Sequence, residues 1–161
     1  MAGNPPKYVI DTCSLIKLRE DYPPDIFPNV WEKMSLLADS GTLISSDEVF
    51  EELNVDEATG DPVLAWAEDH RSIFYPLDGF IQGKASEILS SFPGLLDLKR
   101  NKSGADPFVI ATAIYFSCIV VTDELPTKNS SGRVKIPDVC SKLSISNINL
   151  IEMMRAEELK F

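Results

Sequence analysis

Short apolar runs of strand length alternate along this chain with longer stretches of helical period. Lys7 to Asp11 reads as a buried strand, followed by a short helix from Ser14 to Glu20 that Pro23-Pro24 stops. Phe27, Val30, Trp31, Met34 and Leu37 fall on one helical face, and Gly41 ends that helix. Thr42 to Ser45 is a second strand. Ser46 or Asp47 then caps a helix through Val49, Phe50 and Leu53. Asp61-Pro62 supplies a cap and a first-turn proline for the next helix, whose apolar side includes Leu64, Trp66 and Ala67. The pattern further predicts a strand over Ile73 to Leu77, a helix from Asp78 to Ser91 broken by Pro93-Gly94, and a strong helix from Asp106 to Ser117. Ile119 to Thr122 is the clearest strand. A short helix begins at Ile136, a last strand covers Asn147 to Ile151, and a final helix runs from Glu152 to Leu159. Residues 101–104 and 125–133 read as polar loops.

This alternation predicts an α/β fold: a three-layer α/β/α sandwich around a central, mostly parallel sheet. The length of 161 residues favours one domain spanning the whole chain, and 44% hydrophobic residues suffice for a full core. No apolar run approaches the ~18 residues that a membrane span requires. The polar start, Met1 to Lys7, has no apolar segment of signal-peptide length, so the expectation is a cytoplasmic protein with no membrane association.

Charge and cysteine content narrow the chemistry. The net charge of −10 argues against a generic nucleic-acid binder. Two basic clusters can still hold phosphates: Lys99-Arg100-Asn101-Lys102, and Lys128 with Arg133 and Lys135. Cys13, Cys118 and Cys140 are widely spaced and His70 is the single histidine, which speaks against a zinc site or a Cys/His nucleophile. Three mostly buried thiols in a reducing compartment is the simpler reading.

What stands out is acid at the ends of apolar runs. Asp11 closes Tyr8-Val9-Ile10, and Asp123 closes Ile119-Val120-Val121-Thr122. Glu48 and Glu52 share a helical face after the second strand, and Asp106 opens the helix beginning Pro107-Phe108. In open α/β sheets ligands sit beyond the carboxyl ends of the strands, so all these positions can share one sheet edge. Each also has a plainer role: Asp106 as an N-cap, Glu52 as surface charge, Asp123 as the start of a turn. Asp11 is the hardest to explain away, because it interrupts a core strand with no basic residue nearby in sequence, and a buried lone charge costs several kcal/mol. Thr12 and Ser14 offer hydroxyls to a neighbouring carboxylate. Gathered carboxylates call for a proton or a divalent cation between them.

Four segments in order resemble a PIN domain: Val9 to Ile16, Val49 to Leu53, Ala105 to Ala111, and Val120 to Glu124. Gly104-Ala105-Asp106-Pro107-Phe108, Val121-Thr122-Asp123-Glu124 and Lys135-Ile136-Pro137-Asp138-Val139-Cys140 are similar to a prokaryotic branch with a DUF4411-type pattern. The resemblance implies a Mg²⁺- or Mn²⁺-dependent ribonuclease, the toxin of a toxin–antitoxin pair, with RNA as substrate and an antitoxin protein as partner. It places the four catalytic acids at Asp11, Glu52, Asp106 and Asp123. Thr12, Ser14 and Thr122 stand as supporting hydroxyls. Glu48 shares or replaces the role of Glu52, and Glu124 that of Asp123, so the metal-ligand candidates are Asp11, Asp106, Asp123, Glu48 and Glu124.

Two other readings compete. One is a non-catalytic PIN-like module acting through a protein or RNA partner. The other is a phosphatase using Asp11 as nucleophile, which Cys13 disfavours by standing where a second Asp is expected. The face carrying Val30, Trp31 and Met34 serves either the core or a contact with a second copy in a homodimer.

Overall fold

The computed structural model describes residues 4–55, 60–96, 104–128 and 133–161. Five short parallel strands form one sheet: β1 (Tyr8–Ile10), β2 (Leu43–Ser46), β3 (Phe74–Tyr75), β4 (Ile119–Val121) and β5 (Asn147–Ile148), in the order β3-β2-β1-β4-β5. Register pairs Val9 with Ile44 on one side and with Val120 on the other. Tyr8, Val9 and Ile10 are fully buried, as expected of a central strand covered on both faces.

The helices are α1 (Thr12–Asp21), α2 (Pro28–Asp39), α3 (Asp47–Val55), α4 (Pro62–Asp69), α5 (Gly79–Ser91), α6 (Asp106–Phe116), α7 (Ile136–Leu143) and α8 (Leu150–Ala156). They pack in groups. Helices α1, α3 and α4 touch one another, while α6 lies against β1, β2 and β4 and meets α5 and α7. Helix α6 buries Val109, Ile110, Ala111, Thr112 and Ala113, apolar on almost every side because sheet and helices surround it. The α/β/α architecture and the parallel sheet thus match the sequence pattern.

Local signals explain most element ends. Asp61 accepts a hydrogen bond from the Val63 amide and Asp78 one from the Ile81 amide, each as an N-cap. After α2, Gly41 adopts φ +81°, and an added Cβ there would lie 3.1 Å from the Asn4 carbonyl oxygen.

Two expectations need correction. The third strand is only Phe74–Tyr75, because Arg71–Ile73 winds into a 3-10 turn. The last strand stops at Ile148: Asn149 turns its side chain to accept from the Glu152 amide and starts α8 at Leu150. Val30, Trp31 and Met34 are buried in this chain's own core, the first of the two roles that the sequence left open to that face. No helix among the described residues is long and apolar enough to cross a membrane. The Lys99-Arg100-Asn101-Lys102 cluster and most of the two predicted polar loops lie outside the described residues.

Candidate acid centre at the carboxyl edge of the sheet

From β1 the chain builds outward to β2 and β3 on one side, and β4 and β5 continue on the other. The direction of winding reverses between β1 and β4, the place where open α/β sheets form a crevice beyond their strand ends. Asp11 follows β1 directly, and Thr122, Asp123 and Glu124 follow β4.

The first turn of α1 organises the site. Asp11, 3% exposed, is the N-cap of α1, with Oδ1 accepting from the Ser14 amide at 2.9 Å. Its Oδ2 accepts from the Thr122 hydroxyl at 2.6 Å. Thr12 donates its hydroxyl to Glu52 Oε2 at 2.6 Å, and Ser14 donates its own to Asp123 Oδ2 at 2.6 Å. The Thr12 hydroxyl, the Ser14 hydroxyl and the Ser14 amide, all in one helical turn, therefore each meet a different carboxylate. Glu52 Oε1 also accepts from the Ala105 amide at 2.9 Å, which ties α3 to the residue just before α6. That double engagement excludes the surface-charge reading of Glu52.

Asp106 differs from the rest. It is 7% exposed, and its Oδ2 is buried with no hydrogen-bond partner. It does not cap α6: Ala105 holds the cap position without a side-chain bond, and Asp106 is the first helical residue. An unpartnered buried carboxylate oxygen is costly enough to require an explanation.

Electrostatics gather these groups into one centre. Burial pushes the Asp106 carboxyl up to about 9, and the charges of Glu124, Asp11 and Glu52 push in the same direction, opposed by Arg133. Asp11 is raised to about 7, first by burial, with the Thr122 hydroxyl and Ser14 amide holding it down and Glu124 pushing it up. Glu124 is thus the carboxylate acting most strongly on both. Asp123 is engaged instead by Ser14 and, at 3.3 Å, by the Leu150 amide at the start of α8. Glu48, half-buried, is raised by burial and by Asp47, Glu51 and Glu52, so it stands beside Glu52. Both two-way choices left by the sequence acquire a geometric difference: Glu52 and Glu124 act on Asp106, whereas Glu48 is coupled within α3 and Asp123 binds α1 and α8.

Among the described residues no group of three or more Asp, Glu, His or Cys side chains stands, as placed, where it could hold a metal ion. Asp11, Glu52, Asp123 and Glu124 each accept from an amide or hydroxyl donor, whereas Asp106 Oδ2 has none. The donor set is entirely oxygen, and the mutual repulsion of Asp11, Asp106, Glu52 and Glu124 would fall on neutralisation, so these residues fit a hard divalent cation such as Mg²⁺ or Mn²⁺. Cysteine chemistry does not fit. Cys13 and Cys140 are pushed up to about 12 and Cys118 to about 11, each by burial first. His70 stacks on Trp66 and bonds its carbonyl.

Two residues whose engagements the sequence does not reveal, Arg133 and Asp138, stand around the start of α7. Arg133 donates to the Gly94 and Leu95 carbonyls and places positive charge near Asp106. Asp138 accepts from both Thr127 and Lys135. The Lys135-to-Cys140 motif signalled this segment without indicating what it does.

The parallel sheet, its switch point and its acid-lined edge define an α/β protein with a PIN-like fold. Residues 8–161 match the model of the DUF4411 family, a domain of unknown function, and the chain belongs to that family. Among solved structures, it is similar to VapBC2 from Rickettsia felis bound to a DNA fragment from their promoter, with TM-score 0.54 and 15% identity over 88% of this chain and 97% of that one. It is also similar to PAE2754 from Pyrobaculum aerophilum, with TM-score 0.53 and 10% identity over 96% of this chain and 98% of that one. At these identities the likeness concerns the fold. No curated protein matches the chain.

Proposed function

We propose that this chain is a Mg²⁺- or Mn²⁺-dependent ribonuclease that hydrolyses RNA phosphodiester bonds, and that it serves as the toxin of a toxin–antitoxin pair. The observation that carries this reading is the buried, unpartnered Asp106 Oδ2, set among Asp11, Glu52 and Glu124 at the sheet's switch point. A structural carboxylate would have found a donor. A ligand carboxylate keeps an acceptor open for a cation.

Asp11 and Asp106 would hold the ion, with Glu124 as the third carboxylate and Asp123 and Glu48 as more distant candidates. A divalent ion bound there supplies positive charge against the reacting phosphate and makes water more acidic. Thr122 keeps Asp11 from turning away, through its hydroxyl bond to Oδ2. Glu52, fixed at both oxygens by Thr12 and Ala105, would orient an attacking water and accept its proton. Arg133, whose positive charge acts on Asp106, suits a phosphate oxygen of the substrate.

The net charge of −10 leaves little for non-specific RNA affinity, which rests on phosphate contacts. A structured RNA target and an antitoxin contributing its own Arg or Lys to the acid centre both suit such a surface. The VapBC2 likeness agrees with a pairing of this kind while resting on fold alone.

The test is Mn²⁺-dependent cleavage of a mixed RNA pool by wild type and by Asp11→Asn. Metal-dependent cleavage that the substitution abolishes is expected. A wild type that binds RNA or a partner yet never cuts at any Mn²⁺ concentration would make this a binding module. For the toxin role, expression in a bacterial host should slow growth unless the neighbouring open reading frame is co-expressed.

A further inference from the structure

Glu124 lies in the loop after β4, and its charge acts on both Asp11 and Asp106. Glu124 is held at two points. Its amide donates to the Thr122 hydroxyl at 3.2 Å, and its Oε2 accepts from the Ile136 amide, at the start of α7, at 3.1 Å. Where Glu124 stands therefore depends on where the first turn of α7 sits relative to the loop.

One side chain fixes that relation. Asp138 Oδ2 accepts from the Lys135 amide at 2.9 Å and from the Thr127 hydroxyl at 2.9 Å, and the Thr127 amide lies 3.2 Å from Oδ1. Lys135 is the residue before α7, so that bond alone would be an ordinary helix-start contact. The two Thr127 bonds are not part of any helix. They join α7 to the segment that follows β4. Asp138 thus joins Thr127, three residues after Glu124, to Lys135, one residue before the amide that Glu124 accepts from. A chain of bonds then runs from Asp138 through this loop to Glu124, Thr122 and Asp11.

We propose that Asp138 is a positioning residue for the acid centre, clamping Thr127 to the start of α7 so that Glu124 is presented to Asp11 and Asp106. This rests on the reading of that centre as a divalent-ion site. Among the described residues no hydrogen bond joins Asp138 to the other acids. Asp138 acts as outer partners of metal ligands do, by fixing the orientation of a residue that belongs to the centre. A residue that merely started α7 would need only the Lys135 bond, so the Thr127 side of the clamp separates the two roles.

Mn²⁺ affinity should be measured by calorimetric titration for wild type, Asp138→Ala, Glu124→Gln and the double variant. Amide exchange at Ile136 should be followed in the metal-free proteins, with Thr127→Val added. Asp138→Ala is expected to weaken Mn²⁺ binding about tenfold in the wild-type background, within the range typical of outer-shell partners, and to add nothing once Glu124 is Gln. Ile136 exchange should quicken severalfold in both Asp138→Ala and Thr127→Val, while the Val120 and Val121 amides stay protected. An equal loss of affinity in both backgrounds would overturn the proposal. So would Ile136 exchange that responds to Asp138→Ala but not to Thr127→Val, since that is the pattern of a helix start alone. Should wild type bind no Mn²⁺, the ribonuclease reading falls, and the exchange arm still decides whether Asp138 holds the loop.

Discussion

Replacing Asp106 by Asn should stabilise the metal-free protein at neutral pH and destabilise it in acid. Asp106 has an ordinary carboxyl pKa of 3.8 when exposed and about 9 in the folded chain. A raised carboxyl binds its proton in the folded state while the unfolded chain has already released it. Stability is therefore lost as pH rises from about 4 towards 9, at up to about 1.4 kcal/mol per unit. By pH 7 the cost of keeping Asp106 protonated reaches about 4 kcal/mol. Asn removes that term but buries an amide in a place where Oδ2 has no partner, which costs about 1–3 kcal/mol. At pH 7 the first effect wins, and Asp106→Asn should exceed wild type by about 1–3 kcal/mol. At pH 4.5 the titration term has shrunk to about 1 kcal/mol, so the variant should be equal or weaker. Asp11, raised to about 7, adds a second falling contribution between pH 4 and 7 that persists in the variant. Urea unfolding in EDTA at half-unit steps from pH 4.5 to 8 reads all of this. Because the two carboxyls are coupled, the curves describe the pair as well as either residue. A variant destabilised equally at both ends of the range would refute the buried-carboxyl reasoning. So would a wild type whose stability rises from pH 5 to 7.

Thr122→Val preserves shape but removes the hydroxyl that donates to Asp11 and receives from the Glu124 amide. A loss of about 1–3 kcal/mol in urea unfolding is expected, with weaker Mn²⁺ binding, and an unchanged midpoint would show that this bond does not hold Asp11. The three thiols, raised to between about 11 and 12 by burial, should resist a disulfide reagent at pH 8 in the folded protein. All three should react after unfolding in urea, and one fast thiol in the native state would contradict the assigned environment.

The parts of the fold legible in the sequence are those where local signal and tertiary need coincide. Tyr8-Val9-Ile10 and Ile119-Val120-Val121 are apolar, largely β-branched and central, so composition and position agree. The edge strands were harder. Phe74–Tyr75 and Asn147–Ile148 have two residues each, too short for a period, and their ends are set by a 3-10 turn and by the Asn149 side chain. The acids at strand ends could be seen because a charge closing an apolar run has no local explanation. Their engagements could not. Nothing near Glu52 in sequence reveals that Thr12 and the Ala105 amide hold its oxygens, and nothing near Asp106 shows that it fails to cap its own helix. Glu48 and Glu52 share a helical face by periodicity, and only long-range packing distinguishes the one that acts on Asp106. Asp138 lay in a recognisable motif, yet its role depends on Thr127, eleven residues earlier.

The most direct measurement of the central claim is the position of bound Mn²⁺. Crystals of the wild type soaked in Mn²⁺ should give an anomalous difference peak at the carboxyl edge of the sheet, within bonding distance of Asp11 and Asp106, with Glu124 turned towards it. The same soak of Asp106→Asn should give no peak there. A wild-type crystal whose Asp106 carboxyl stays unliganded at saturating Mn²⁺, in a protein that still cleaves RNA, would contradict the assignment of this centre as the metal site.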